Sequence, residues 1–292
     1  MCILKPQDWP ARPGKVGAGL TVFFSLCSIF LFTGKPTAAA LENERANSSA
    51  LANSSLELPP FRPQNGSFTS TGFASLLASQ NALSNIVCRE VVSRYTSRGA
   101  RGSASLRDRF EATVEVLDGK ERYSDVLRNR KAYTGLASLP GTWSAGEMAT
   151  MLRITADAMH RPNALIAHER TVDNRLADRF RFEVPADFHA WYIKARGARY
   201  WIGFEGDVWL SEKTGAIETL SWRSTDIPAA AGIAEVVWTV DYAVLNLAGR
   251  RIALPGSSEF EVNYTADRRI DRNSTLFTGY RRYGSATSVQ FE

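Results

Sequence analysis

The sequence predicts an α+β protein: a strongly curved antiparallel sheet or half-barrel of roughly ten to eleven strands, with one or two helices against its concave face. Three observations carry this. Apolar residues alternate with polar ones over most of the chain beyond residue 83, as in antiparallel strands with one buried face. Turn dipeptides punctuate those runs: Asp118-Gly119, Thr214-Gly215, Ala248-Gly249 and Pro255-Gly256. Helical periodicity is confined to the first half.

The first 40 residues read as a cleaved secretory leader. Lys5, Arg12 and Lys15 precede an apolar run from about Val16 to Phe32, and small residues at Ala38 and Ala40 form an A-x-A site. The run is shorter than the roughly 20 residues a membrane helix needs, so membrane association through a mature transmembrane helix is not expected. Retention of the leader as an anchor is the alternative. Lys5, Arg12, Lys15 and Lys35 against Asp8 account for +3 of the chain's +5, which leaves +2 for the rest. The basic pI is therefore largely a leader property and gives no support for a nucleic-acid partner. Cys2 and Cys27 leave with the leader. Cys88 then stands alone, so no internal disulfide staples the fold, and its β-like surroundings predict a small buried residue.

Residues 41–68 are rich in Asn, Ser and Pro without apolar periodicity, a flexible linker. Residues 69–292 form the single expected domain. Sequons begin at Asn47, Asn53, Asn65, Asn263 and Asn273, which would carry glycans only in a eukaryotic secretory pathway. Phe73, Leu76, Leu77 and Gln80 fall at helical spacing. A second helix is predicted to start at Ser144, with Glu147 closing a capping box and Met148, Met151, Leu152 and Met159 along one face.

The clearest strand holds Tyr200, Ile202, Phe204, Gly206, Val208 and Leu210 on one face. Similar alternation occurs in Phe180, Phe182, Val184, in Val236, Trp238, Val240, Tyr242, Val244, and in Phe260, Val262, Tyr264. The stretch EGDVWLSEKTGAIETLSW, Glu205 to Trp222, reads as a hairpin turning at Gly215. If Leu210 pairs with Ala216, Phe204 opposes Trp222 and Val208 opposes Glu218. Phe204, Val208, Leu220, Trp222, Val236, Trp238 and Tyr242 then share one surface, the candidate ligand-binding face. It is either a filled core or the wall of an apolar pocket. A one-residue slip would flip the second strand and break the group.

No catalytic or metal signature is present. His160 and His168 are eight apart rather than the four of a zinc helix, and one mature cysteine excludes a C-x-x-C site. There is no G-x-S-x-G, G-x-G-x-x-G, P-loop or EF-hand spacing. Glu205 and Asp207 are spaced permissibly for a glycosidase pair, but they read as a solvated outer face. The protein is therefore not expected to be an enzyme or to hold a cofactor or metal.

Several strand and turn motifs resemble a group of uncharacterised secreted bacterial proteins. They have a half-barrel like that of the outer-membrane lipoprotein carriers and of the periplasmic regulator of an anti-sigma factor. The pieces are Asn85-Ile-Val-Cys88, Arg94-Tyr95, Ser144-Ala-Gly-Glu147, Gly206 through Gly215, Asp226-Ile-Pro228, Asp241-Tyr242, Leu254-Pro255, Ser258-Glu259, Phe277 and Tyr280-Arg-Arg-Tyr283. The resemblance spans about residues 83–292 and implies an envelope location, periplasmic or secreted, without supplying catalytic residues. Two functions are weighed for such a protein. One is an exported protein that binds or carries an apolar small molecule such as a lipid or acyl chain. The other is a non-enzymatic structural or regulatory module that contacts an envelope protein partner.

Overall fold

The computed structural model describes residues 76, 78–79, 81–99, 102–117, 119–160, 166–173, 175–247 and 249–282, with side chains of 166–173 and 175–177 left aside. The predicted leader and linker, the sequons at Asn47, Asn53 and Asn65, and Phe73, Leu77, Gln80 and Tyr283 lie outside these. So does the side chain of His168. All described residues belong to one compact unit.

Among the described residues, twelve strands and one α-helix follow one another from Ile86 onward. The strands β1 (Ile86–Arg98), β2 (Ser105–Leu117), β3 (Lys120–Arg128) and the two-residue β4 (Lys131–Ala132) come before the helix α1 (Thr150–Met159). After it come β5 (Ile166–Asp173), β6 (Arg175–Val184), β7 (Trp191–Ala195), β8 (Ala198–Ser211) and β9 (Ile217–Thr225). Then β10 (Ile233–Leu247), β11 (Arg250–Tyr264) and β12 (Arg269–Arg282) complete the fold. All pairings are antiparallel, and the order is β4-β3-β2-β1-β12-β11-β10-β9-β8-β6-β5, with β7 on β8. The sheet is open, with β4 and β5 at its ends. Neighbours in space are mostly neighbours in sequence; the long-range exception, inside the sheet, is β1 against β12.

Alternation places one face of this sheet inward. Ile202, Phe204, Val208 and Leu210 of β8 are buried, as are Phe180, Phe182 and Val184 of β6. Helix α1 lies against that face, with Met151, Leu152 and Met159 in the same core as Phe204, Trp222 and Trp238. A second, smaller core gathers Val92, Phe110, Ala112 and Val126 under Leu136, Leu139, Trp143 and Ala145. The amphipathic stretch near residue 76 is helical at Leu76, Ala78, Ser79, Asn81 and Ala82, and Leu76 is buried. No helix among the described residues is long and apolar enough to cross a membrane.

Three local expectations are corrected. The hairpin register runs two residues away from the predicted one: Val208 opposes Leu220, and Gly206 opposes Trp222. An even shift keeps every side chain on its face, so the apolar group survives. A bulge takes Trp209 to Thr219 but Leu210 to Ile217, leaving Glu218 as the extra, half-buried residue. Pro255-Gly256 is not a turn. It lies within β11, where Asp241 opposes Ser257 and Tyr242 opposes Pro255, so Gly256 is the bulge that admits a proline into a strand. Finally, α1 begins at Thr150, with Ala149 as N-cap and no side-chain cap of its own. Ser144 still donates to Glu147 Oε1, but inside a non-helical segment.

Candidate functional site

That segment is the unusual part of the molecule. Residues 142–149 run beneath the sheet in irregular conformation, and every one of them is buried. Buried irregular backbone needs partners for its N–H and C=O groups. Here inward side chains of the sheet supply them. Arg94 donates to the carbonyls of Pro140 (2.7 Å) and Thr142 (3.2 Å). Thr142 Oγ1 donates to Asp271 Oδ2 (2.6 Å). The N–H of Gly146 donates to the Tyr123 hydroxyl (2.9 Å). Glu121 Oε1 on β3 accepts from the N–H groups of Ala149 (2.6 Å) and Thr150 (2.7 Å), so a distant strand caps α1. We refer to residues 140–149 as the strap.

Arg94 is held by a buried network. Asp108 accepts Arg94 Nε at 2.6 Å and Nη2 at 2.7 Å, and Arg128 Nε at 2.7 Å. Burial pushes the Asp108 carboxyl up, but the hydrogen bonds and charges of Arg94 and Arg128 outweigh it and hold the group below its ordinary range.

Strap and helix together close the predicted ligand-binding face. Phe204, Val208, Leu220, Trp222, Val236 and Trp238 are brought together and buried, and Tyr242 is half-buried at their margin with its hydroxyl sheltered. Phe204 stacks on Trp222 with centroids 4.2 Å apart, and Trp238 meets Trp222 edge-on at 6.0 Å. Trp191 of β7, which alternation did not assign to this face, completes the cluster at 5.3 Å from Trp222 and 5.5 Å from Phe204. One indole is satisfied, Trp222 Nε1 donating to Thr155 Oγ1 of α1. The N–H groups of Trp191 and Trp238 have no partner.

Beside the aromatic cluster lies a set of acids and phenols that the sequence did not single out. Glu90 of β1 and Glu147 of the strap are fully enclosed, and one carboxyl oxygen of each, Oε2, has no partner. Burial is the main influence on both. It pushes Glu147 up to about 8, with the Ser144 hydrogen bond acting against it and the Glu121 charge with it. It pushes Glu90 well up, reinforced by Glu147 and Glu121. Burial likewise raises Tyr123, Tyr242 and Tyr280. Cys88 is buried and its thiol pushed up to about 12, which makes it the inert residue expected. The signal in the sequence was a phase clash. Glu90 occupies an apolar-face position in the run Ile86, Cys88, Glu90, Val92.

The acids of the hairpin behave otherwise. Asp207 accepts from Arg179 (2.9 Å) and Arg181 (3.3 Å), and Glu205 sits outward opposite Glu183 and Arg223. No group of three His, Cys, Asp or Glu placed to hold a metal occurs among the described residues. A cleft of about 550 Å³ opens near β1–β3, lined by Arg89, Glu111, Thr113 and Asp125 among others, with Arg89 paired to Glu111.

No family model matches the chain, and no curated protein matches it either. Among solved structures, it is similar to a DUF1329 family protein from Desulfovibrio piger at 10% identity. That similarity covers 75% of this chain and 93% of the other, with a TM-score of 0.32. A likeness of that size transfers neither site residues nor an activity.

Proposed function

We propose that this is an exported, non-enzymatic protein of the cell envelope that binds an apolar molecule, of the lipid or acyl-chain class, on its inner aromatic face. The observation that carries the reading is how that face is closed. Its lid is a ten-residue helix and the irregular strap, neither of which takes part in the sheet's ladder. The sheet therefore keeps its own hydrogen bonds if the lid moves. The lid leaves two indole N–H groups unpartnered over the aromatic cluster, where a carbonyl or carboxyl of an amphiphile would find donors. Methionines line the lid, a side chain suited to repacking against varied apolar shapes.

A second reading is favoured by a different observation. The accessible cleft sets charged residues such as Arg89, Glu111 and Asp125 beside apolar ones such as Ala112 and Leu127, and mixed surfaces of that kind suit a protein contact. In this reading the aromatic cluster is permanent core and the function is a structural or regulatory contact with an envelope partner.

Native mass spectrometry of the mature protein separates the two. A stoichiometric apolar adduct, and saturable binding of a fluorescent fatty acid after its removal, is the expected result. Absence of both, with capture of one envelope protein at fixed stoichiometry, favours the second. The same spectrum reports whether the leader is removed after Ala40.

A further inference from the structure

We propose that the lid is a proton-operated latch: the strap stays under the sheet while Glu90 and Glu147 are protonated, and their ionisation drives it out and uncovers the aromatic face. The proposal rests on the apolar-ligand reading for what the uncovered face would bind, but the latch itself is independent of it.

The geometry is that of acids brought together without counter-ions. From β1 come Glu90 and Cys88, from β3 Glu121 and Tyr123, from β10 Tyr242, from β12 Tyr280, and from the strap Glu147 with Ser144 beside it. These are the titratable groups acting on one another here. No Lys, Arg or His is among them. Arg94, the cation on the same face of β1, lies four residues further, roughly 13 Å along the strand, and is committed to Asp108. Glu121 directs its charge to the first turn of α1 and to Tyr123, whose hydroxyl donates to Oε2 at 2.5 Å. Glu147 accepts the Ser144 hydroxyl on Oε1, but Glu90 and Glu147 each keep an unpartnered Oε2. A buried carboxyl in that position is stable when neutral and unfavourable when charged.

Only one of the two acids can leave. Glu90 is fixed in a strand paired on both sides, to β2 and β12. Glu147 sits on the strap, which no ladder holds. Ionisation is thus relieved by moving residues 142–149 toward water, and α1 follows because its first turn begins at the end of the strap.

The sign follows from linkage. Glu147 is raised from an unfolded value near 4.5 to about 8 in the closed state. Closure therefore holds more protons than opening between those values. Its stabilisation is complete at low pH and is lost as the pH rises through about 8.

The test is hydrogen exchange across residues 142–159 together with tryptophan emission, on the full mature chain, from pH about 5 to about 9. After correction for the intrinsic pH dependence of exchange, the wild-type strap should exchange at least about tenfold faster at the alkaline end, with a red shift in emission, while β10 and β11 stay protected. Glu90→Gln with Glu147→Gln should abolish that rise. An unchanged rise in the double variant, or no excess rise in the wild type, would overturn the latch. Ser144→Ala gives a second, milder check. It removes the donor that stabilises ionised Glu147 in the closed state, so the ionised strap should open more readily and the opening midpoint should move downward; an unchanged or raised midpoint counts against the latch. Fluorescent fatty-acid binding in the open state is scored separately. Opening without binding leaves the latch standing and removes the apolar-ligand reading.

Discussion

Trp222 Nε1 on β9 donates to Thr155 Oγ1 on α1 over 3.0 Å, and both residues are buried. This is the side-chain hydrogen bond that fixes the helix on the aromatic cluster. Thr155→Val keeps the shape and removes the acceptor. A buried N–H left without a partner costs about 1–3 kcal/mol, and the midpoint of urea unfolding should fall accordingly. Thr155→Ser restores the hydroxyl and should recover most of the loss.

Gly206 sits inside β8 because its neighbours leave no room. A Cβ there would lie 2.5 Å from Phe182 Cζ and 2.6 Å from the Ser221 carbonyl oxygen, which is backbone and cannot swing aside. Gly206→Ala should lower stability by about 1–3 kcal/mol or prevent folding. Gly119 provides the contrast. It has a φ of +70° with open space around it, so Gly119→Ala should cost only about 1 kcal/mol of backbone strain. Thermal unfolding of the two variants in parallel checks the difference.

Asp108→Asn removes the charge on which Arg94 and Arg128 converge, leaving the Arg94 guanidinium buried without its counter-ion. Loss of one partner of such a network costs about 3–5 kcal/mol. Because the Asp108 carboxyl is held low in the folded state, its contribution is present above its unfolded value and is lost as the pH falls through the lower folded one. Acid unfolding of the wild type followed by circular dichroism should thus show a transition that is missing in the variant.

Glu121→Ala should loosen α1 without disturbing the sheet. It frees the N–H groups of Ala149 and Thr150 and deprives the Tyr123 hydroxyl of its acceptor. Loss of a helix cap costs about 0.5–2 kcal/mol. Amide exchange at the start of α1 should rise, while amides of β10 and β11 keep their protection.

The strands were legible in the sequence because burial on one face imposes a period of two, and β8 displays it over six successive positions from Tyr200 to Leu210. The apolar group from Phe204 to Tyr242 was legible for the same reason, and it survived a wrong register because the error was an even number of residues. Trp191 was not, since β7 is only five residues long and offers too little alternation to assign a face. The acids were missed for a different reason. Ser144 and Glu147 fit a capping box locally, and the sequence cannot show that Glu121, on a strand, already occupies the helix end. Glu90 was visible as a break in phase, but its meaning depends on the strap, which has no periodicity at all.

The pairing of β1 with β12 has a consequence for the order of assembly. Thr96 and Asp271 are hydrogen-bonded although 175 residues separate them. During synthesis, β1 has β2 to pair with at once, but its other edge must wait until Asp271 and its neighbours have emerged. The seam between β1 and β12 is consequently the last to close, and until then each side of it presents an unpaired strand edge. A chain built this way is vulnerable to truncation at its far end: losing β12 would split the sheet internally rather than trim it at a margin.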